Sequence, residues 1–388
     1  MNSYARSEIA DALIQLVLLI GLVIGGTFLL LGAMQLFGWM DLNTLSVQES
    51  MLMNVASLIL MFAVPAIVFS CIHKERWFKY LKIDVSVHLG PVLLTAGLLI
   101  VILPFMLQIY QWNNAIALPA SLEWLETLMR SWEDEAAAMT KKFLQMEGLN
   151  QLLFTLFAVA VVPAIAEELM FRGALQQILQ KLAGNPHVGI ILAGALFSAI
   201  HFQFYGFFPR MLLGVVMGYL FYWSGNLWYP IVAHFINNGV QVLAVYLGNS
   251  EIEADPDMIG QTPGWTFLVI GSLMLSIALF YYFRKWFIDH PRVEKQPTVN
   301  GKPELSDKAP EEVIRDLEAQ GASDWMPIFV TSQRYLAEIA RSVLEENDIR
   351  SVIIDKKDHA YQFGEVIVYC RPVDKDRAKS LLEDLNNE

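Results

Sequence analysis

Six ionisable or amide side chains lie inside apolar stretches of the sequence, where a polar group is costly and therefore points to a function. Three stretches contain them: Glu167, Glu168 and Arg172 in the first, His201 in the second, and His234 and Asn238 in the third. Peptide hydrolysis needs a base that deprotonates water, an acid for the leaving amine, and donors for the tetrahedral oxyanion. Carboxylate, imidazole and amide groups can supply all three.

The spacing of these residues divides them between two kinds of role. Glu168 and Arg172 are four residues apart, so they share a helix face and can neutralise each other. Glu167 lies about 100° away around the helix and is left without that partner. His234 and Asn238 are also four residues apart and point the same way. The pattern predicts a structural ion pair beside a free carboxylate.

Helix geometry predicts that the three stretches carry these groups to similar depths. At about 1.5 Å per residue, Glu167 and His201 lie roughly 20–25 Å above the turn Gly184–His187 that joins their stretches. By the same measure, His234 and Asn238 lie roughly 13–20 Å above the turn that precedes them. One bundle can therefore hold all the groups in a single site.

The composition predicts a membrane protein with many spans. The chain has 388 residues, of which 55 % are hydrophobic and only 17 % charged, and its mean hydropathy is +0.42. A helix that crosses the hydrocarbon needs about 20 mostly apolar residues. Eight stretches satisfy this: Ala12–Phe37, Met51–Ile72, Leu89–Tyr110, Leu152–Lys181, Val188–Phe204, Phe208–Trp223, Leu227–Leu247 and Trp265–Phe287. We therefore expect an all-α polytopic bundle of about eight transmembrane helices.

The charged residues are concentrated at the C-terminal end of the chain. From Ile288 onward there are 14 Lys and Arg and 21 Asp and Glu, and the whole chain has a net charge of −12. This charge excludes nucleic acid as a partner, since phosphate binding needs a basic surface. We predict a membrane bundle over residues 1–288, a proline-rich linker over 289–324, and a soluble domain over 325–388.

The soluble domain is predicted to have the order βαββα, a small α+β fold of the ferredoxin-like kind. Its elements are Met326–Thr331, Ser332–Asn347, Ser351–Ile354, Glu365–Cys370 and Asp374–Leu385. The domain resembles small bacterial signal-transducing domains, and it contains no catalytic constellation. Regulation and recruitment on the cytoplasmic side both fit it, with an unknown ligand or partner.

A further amphipathic segment, Ser121–Gly148, separates the third and fourth spans. Its apolar residues recur every three or four positions, and acidic and basic residues occupy the other side. This pattern predicts a helix that lies on the outer membrane surface. A capping helix and a substrate gate both remain possible from the sequence.

Three motifs in order carry a family resemblance. The run Glu167-Glu168-x-x-x-Arg172, then Phe197-x-x-x-His201, then His234-x-x-x-Asn238 resembles the signature of CAAX-protease and bacteriocin-processing intramembrane endopeptidases, also called the abortive-infection family. The resemblance covers about Leu152–Leu247.

The resemblance implies a role for each motif residue and a cellular setting. Glu167 and His201 would activate a water, and His234 and Asn238 would support the oxyanion. Glu168 and Arg172 would hold the site together. No cofactor is expected. The substrate would be a membrane-embedded peptide or protein, and the appended domain suggests a bacterial inner membrane.

Two other interpretations are consistent with the same residues. Glu167, His201 and His234 could ligate Zn²⁺ with water in the fourth position, although no HExxH sequence is present. A non-enzymatic membrane protein, either a proton-coupled transporter or an immunity scaffold, is the other alternative. Such a transporter commonly shows inverted repeats, and this sequence has none that we can detect.

The basic residues of the short loops predict the orientation of the bundle. Four of them follow the second span: Lys74, Arg76, Lys79 and Lys82. The loop Gly248–Gly264 has four acidic residues and no Lys or Arg. These loops place both termini in the cytoplasm. Arg210 is the one basic residue in a short loop on the opposite side.

This orientation can be tested by cysteine labelling in intact cells. In a background without Cys71 and Cys370, a cysteine introduced near Asp255 should react with a membrane-impermeant thiol reagent. A cysteine near Lys82 should react only after the cells are opened, because its loop is cytoplasmic. The reverse labelling pattern would show that the orientation is wrong.

Overall fold

A computed structural model of the protein describes residues 3–41, 44–72, 76–248, 263–290, 325–331, 334–355 and 366–382. The chain divides into two compact units, Met1–Asp289 and His290–Glu388. Most of the predicted linker, residues 291–324, lies outside the described residues, so the domain boundaries stay a prediction.

The first unit is a bundle of helices. In chain order they are α1 Ser3–Phe37, α2 Val47–Cys71, α3 Trp77–Tyr80, α4 Leu89–Val101, α5 Leu103–Asn114, α6 Glu123–Phe143, α7 Leu149–Ala183, α8 Pro186–Ala199, α9 Phe207–Ser224, α10 Trp228–Tyr246 and α11 Trp265–Asp289. Helix α7 carries the first motif, α8 and the turn after it carry the second, and α10 carries the third. Helix α7 packs against α8 and α10, and α9 packs against α8 and α10.

The outer helices present apolar side chains that the protein does not cover. Phe28 of α1 is 69 % exposed, and Phe267 of α11 is 81 % exposed. A lipid environment covers such faces without further packing. Among the described residues, five helices are long and apolar enough to cross a membrane, or six if one bent pair counts as a span. The prediction of a polytopic helical membrane protein is confirmed, while the count of eight spans stays a prediction.

The bent pair is α4 and α5, which meet at 43°. Pro104 lies in the first turn of α5, and proline is a regular cause of such kinks. Ser272 of α11 satisfies the backbone at the break, because its hydroxyl donates to the Val101 carbonyl at 2.6 Å and accepts from the Phe105 N–H at 3.3 Å. This pairing satisfies one backbone carbonyl and one backbone N–H that the break leaves without a helical partner.

Helix α7 carries the first motif and departs twice from regular α geometry. Leu156–Val161 and Leu169–Leu175 are π-helical, and the α-helical turn between them, Val162–Glu168, ends with both motif glutamates. Wide turns of this kind are rare and concentrate at functional sites. They rotate the side chains on either side of Glu167 and Glu168 relative to an ideal helix.

The fifth predicted span, Val188–Phe204, is longer than the helix that forms. Helix α8 ends at Ala199, and His201 lies in the turn that follows it. The imidazole Nδ1 of His201 hydrogen-bonds the Phe197 carbonyl at 2.8 Å, which is the carbonyl that the backbone N–H of residue 201 would use in a continuing helix. Phe202 then takes a left-handed φ of 53° and redirects the chain.

Helix α6 is the predicted amphipathic helix, with no buried residue. It begins at Glu123 and ends at Phe143, so it is shorter than predicted, and Gly148 instead precedes α7. Its Trp132 ring contacts the rings of Phe202 and Phe204, with centroids 5.8 and 6.0 Å away. The helix therefore packs on the turn that follows His201.

The second unit contains β1 Met326–Thr331, α12 Arg334–Glu346, β2 Ser351–Asp355, β3 Val366–Cys370 and α13 Lys375–Leu381. The sheet order is β1–β3–β2, with β3 antiparallel to both neighbours. This confirms the predicted α+β order, while the ferredoxin-like assignment stays a prediction. Its core packs the sheet against both helices through buried residues that include Phe329, Leu344, Val366, Val368 and Leu382.

Because this core is contained within the second unit, the fragment from Ser323 to Glu388 should fold alone. We expect a soluble fragment with helix and sheet circular dichroism and a cooperative thermal transition. A shortened protein that ends near Val299 should still insert into membranes. An unfolded fragment, or failed insertion of the shortened protein, would show that the two parts fold as one unit.

Candidate active site

The centre of the site is a buried ion pair within α7. Arg172 donates from Nη1 to Glu168 Oε1 at 2.6 Å, and the two side chains are 1 % and 0 % exposed. Arg172 also donates from Nη2 to the Gly214 carbonyl of α9 at 2.9 Å. Its guanidinium lies 4.8 Å from the ring centroid of Phe197 on α8. One side chain thus ties α7 to both neighbouring helices.

Gly214 can offer its carbonyl because α8 and α9 approach closely at this point. A β-carbon on Gly214 would lie 3.0 Å from the Gly194 Cα and 3.3 Å from the Phe197 ring. The Gly214-x-x-x-Gly218 spacing is typical of closely packed helices. One turn on, the Gln176 amide donates to the Gly218 carbonyl at 3.1 Å.

Glu168 also binds His234, the histidine of the third motif. His234 Nδ1 is 2.9 Å from Glu168 Oε1, the same oxygen that accepts from Arg172. An ionised carboxylate can only accept, so Nδ1 carries the proton. This fixes the ring orientation and turns Nε2 toward Glu167.

Glu167 is buried, yet its carboxylate is less engaged than that of its neighbour. Its Oε2 is 3.9 Å from His234 Nε2. That oxygen has no hydrogen-bond partner among the described protein atoms. Glu167 is 7 % exposed.

His201 lies beside Phe197. The Phe197 ring centroid is 5.2 Å from the His201 ring and 5.8 Å from the His234 ring. His201 interacts electrostatically with His234 and Arg210, but it forms no hydrogen bond or ion pair with Glu167 in the part of the chain that the structure describes. Its Nδ1 is used by the Phe197 carbonyl, which leaves Nε2 available.

Asn238 lies one turn beyond His234 on α10. Its Nδ2 donates to the Val159 carbonyl at 3.0 Å, and its Oδ1 accepts from Asn237 Nδ2 at 3.0 Å. One of its two amide N–H groups therefore remains for a ligand. The Val159 carbonyl belongs to the first π-helical segment of α7, so this bond joins α10 to the helix of Glu167.

The structure therefore brings Glu167, Glu168, Arg172 and His234 into one buried cluster, with His201 beside Phe197 and Asn238 one turn away. Such a cluster can bind and deprotonate a water and donate to an anion. Within the described ranges, no group of three His, Cys, Asp or Glu side chains is placed to hold a metal ion.

Two features of the site were not expected from the sequence. The first is the Glu168–His234 bond, because spacing along separate helices predicts depth and not which faces meet. The second is Arg210, in the first turn of α9, whose charge interacts with Glu167 and His201. Its position on the side that should lack basic residues was the only sequence signal for it.

Comparison with known proteins places this region in a family. Residues 149–240 match the family model described as "Type II CAAX prenyl endopeptidase Rce1-like", so this part of the chain is an Rce1-like domain, and the family resemblance is confirmed there. The chain is also similar to the protein of Bacillus subtilis (strain 168) named "Uncharacterized protein YpbD", with 29 % identity over 106 residues. That match covers 26 % of this chain and 49 % of the relative, about half its length. No solved structure matches the chain.

The ion pair predicts which substitution should destabilise the bundle. Glu168→Gln leaves the Arg172 guanidinium buried without its counter-charge, and breaking such a pair costs about 3–5 kcal/mol. We expect a clear fall in the thermal unfolding temperature of the purified protein in detergent. The double variant Glu168→Gln with Arg172→Met should recover part of it, because no charge is then left unpaired. A single variant that melts like the wild type would contradict this role.

Proposed function

Since the Rce1-like domain belongs to a family of CAAX endopeptidases, we propose that this protein is an intramembrane endopeptidase that cleaves membrane-associated peptides with a water activated by Glu167. The observation that carries this proposal is the pairing of Glu167 and His234. A buried carboxylate with a free oxygen faces the Nε2 of an imidazole whose other nitrogen is held by Glu168.

A water fits between these two groups. The distance of 3.9 Å from Glu167 Oε2 to His234 Nε2 exceeds a hydrogen bond, and two bonds of about 2.8 Å meeting near a right angle span it. Glu167 takes a proton from this water as the oxygen attacks the scissile carbonyl. Because burial weakens the hydration of the carboxylate, the same group can return the proton to the leaving amine.

The oxyanion needs hydrogen-bond donors near the carbonyl oxygen. The free N–H of Asn238 is one candidate. His234 Nε2 accepts from the water before attack and takes the second proton of the water as the attacking oxygen bonds the carbonyl carbon. The imidazolium, whose charge Glu168 stabilises, then donates to the oxyanion and passes this proton to the leaving amine, which departs as an ammonium while the new acid departs as a carboxylate. His201, with Nε2 available, is a second group for the water. These roles retain the assignments that the motifs imply and give Glu168 a further one, the orientation of His234.

The helical bundle indicates where the substrate and the termini lie. We propose that the substrate is a peptide or protein in the lipid bilayer, because the motif helices lie among apolar helices. We further propose that both termini are cytoplasmic, as the loop charges predict, and that the membrane is the bacterial inner membrane. The C-terminal unit would regulate or recruit.

The central test is Glu167→Gln. This substitution keeps the size of the side chain but removes the base, so we expect at least a hundredfold loss of peptide cleavage with unchanged insertion and melting. The measurement is cleavage of a membrane-reconstituted peptide library by the purified wild type and variant, followed by mass spectrometry. Cleavage at a near wild-type rate would show that Glu167 is not the base.

Chelation of metal ions in the same preparation distinguishes the proposed mechanism from the zinc-dependent alternative. The proposed roles of Glu167 and His234 require no metal, so activity should persist after prolonged treatment with a strong chelator. Activity that disappears and returns with added Zn²⁺ would favour the zinc-dependent protease. Proton transport by the reconstituted protein, with no cleavage of any peptide, would instead favour the transporter.

A further inference from the structure

Arg210 is a cation beside the proposed site that the mechanism does not use. It occupies the first turn of α9 and is partly buried. Its guanidinium hydrogen-bonds Gln203, two residues after His201 in the same turn, so its charge lies near enough to act electrostatically on His201, Glu167 and Glu133. A basic residue at this side of the bundle runs against the loop-charge pattern, and a partly buried guanidinium gives up hydration. Both facts call for an explanation.

The guanidinium is anchored but not neutralised by direct contact. Nη2 donates to the Gln203 side-chain oxygen at 2.6 Å, and Nη1 points to the Gln203 carbonyl at 3.4 Å. No carboxylate oxygen of the described residues lies within 4.0 Å of it. Guanidinium has five N–H donors, so at least three remain for a ligand.

The surrounding backbone leaves space for this group. A β-carbon on Gly206 would lie 3.2 Å from Arg210 Nη2, so glycine at that position allows the guanidinium to lie against the chain. Glu133 is the nearby carboxylate of α6, but its Oε2 accepts from the Tyr205 N–H at 3.2 Å. Burial raises the pKa of the Glu133 carboxyl above its ordinary value, against the opposing effects of that N–H and of Arg210. Glu133 is therefore engaged by the backbone and forms no direct ion pair with Arg210 among the described residues.

We propose that Arg210 binds a carboxylate of the peptide substrate and thereby sets which bonds reach Glu167. The proposal rests on the proposed function. A peptide backbone is neutral, so only a terminal or side-chain carboxylate would engage the free donors with charge-assisted bonds, and the planar fork of arginine suits that group.

The test measures binding apart from cleavage. Three forms of one fluorescent apolar peptide serve as probes: one with a free C-terminal carboxylate, one with a C-terminal amide, and the amide with glutamate as its last residue. Each is titrated against the full-length Glu167→Gln protein in detergent, with fluorescence anisotropy as the readout. We expect at least one carboxylate form to bind about tenfold tighter than the plain amide.

In the double variant Glu167→Gln with Arg210→Gln, the carboxylate forms should bind no better than the amide. Arg130→Gln is the matched control, since it removes another arginine charge of the same surface that already pairs with Glu126. The preference should survive it. The preference for the carboxylate probes should also survive Glu133→Gln. If Arg210 served only as the counter-charge of Glu133 on α6, this substitution would abolish the preference.

The comparison of the two acidic probes identifies the source of the carboxylate. Equal binding of all three probes, or a preference that persists without Arg210 or disappears with Arg130→Gln, would overturn the proposal. With Glu167 intact, the same peptides report on cleavage. A carboxylate preference that depends on Arg210 but is never followed by cleavage would overturn the proposed function and support the binding site.

Discussion

A guanidinium with 1 % of its side chain exposed imposes the main constraint on this bundle. Arg172 must be neutralised where it stands, because an unpaired charge in the interior of a membrane protein costs several kcal/mol. Glu168 neutralises it from the same helix, and the Gly214 carbonyl takes a second bond. The geometry of α7, α8 and α9 follows from these bonds, since they are made only if the helices approach closely. Close approach in turn needs glycine at 194 and 214.

The same ion pair prepares the chemistry. Glu168 Oε1 accepts from both Arg172 and His234, so the charge that stabilises the bundle also fixes the ring of a proposed catalytic residue. Neighbouring positions therefore have different roles. Glu168 Oε1 accepts from two partners at once, whereas the closest charged partner of Glu167 among the described residues is His234 Nε2, at 3.9 Å.

The sequence predicted the parts of the site that depend on chain-local physics. Hydropathy located the motif helices, and i,i+4 spacing identified the Glu168–Arg172 pair. The short apolar segments at the C-terminal end predicted the strands of the three-stranded sheet. What could not be predicted depends on how helices face one another. Residue spacing predicts how deep a side chain lies along its helix, but not which neighbouring helix it faces. The contact of His234 with Glu167 and Glu168 could therefore not be predicted from the sequence. The end of α8 was missed because apolar character continues past Ala199, while the His201 imidazole takes the carbonyl that would have extended the helix.

The two π-helical segments explain how α7 can hold both the Glu168–Arg172 ion pair and the proposed base, Glu167. Each wide turn carries an extra residue and shifts the register of the side chains beyond it. The segments flank Val162–Glu168, and Arg172 lies inside the second, one turn below its partner. A regular helix would keep one apolar face against α10 throughout. The shifted register instead lets α10 reach the first π-helical segment through Asn238 and the glutamates through His234. His234 and Asn238, the two residues of the third motif, thus bind α7 on either side of the turn that contains Glu167. This keeps the backbone of the turn rigid, and a base needs a rigid backbone to hold its carboxylate at a fixed distance from the water.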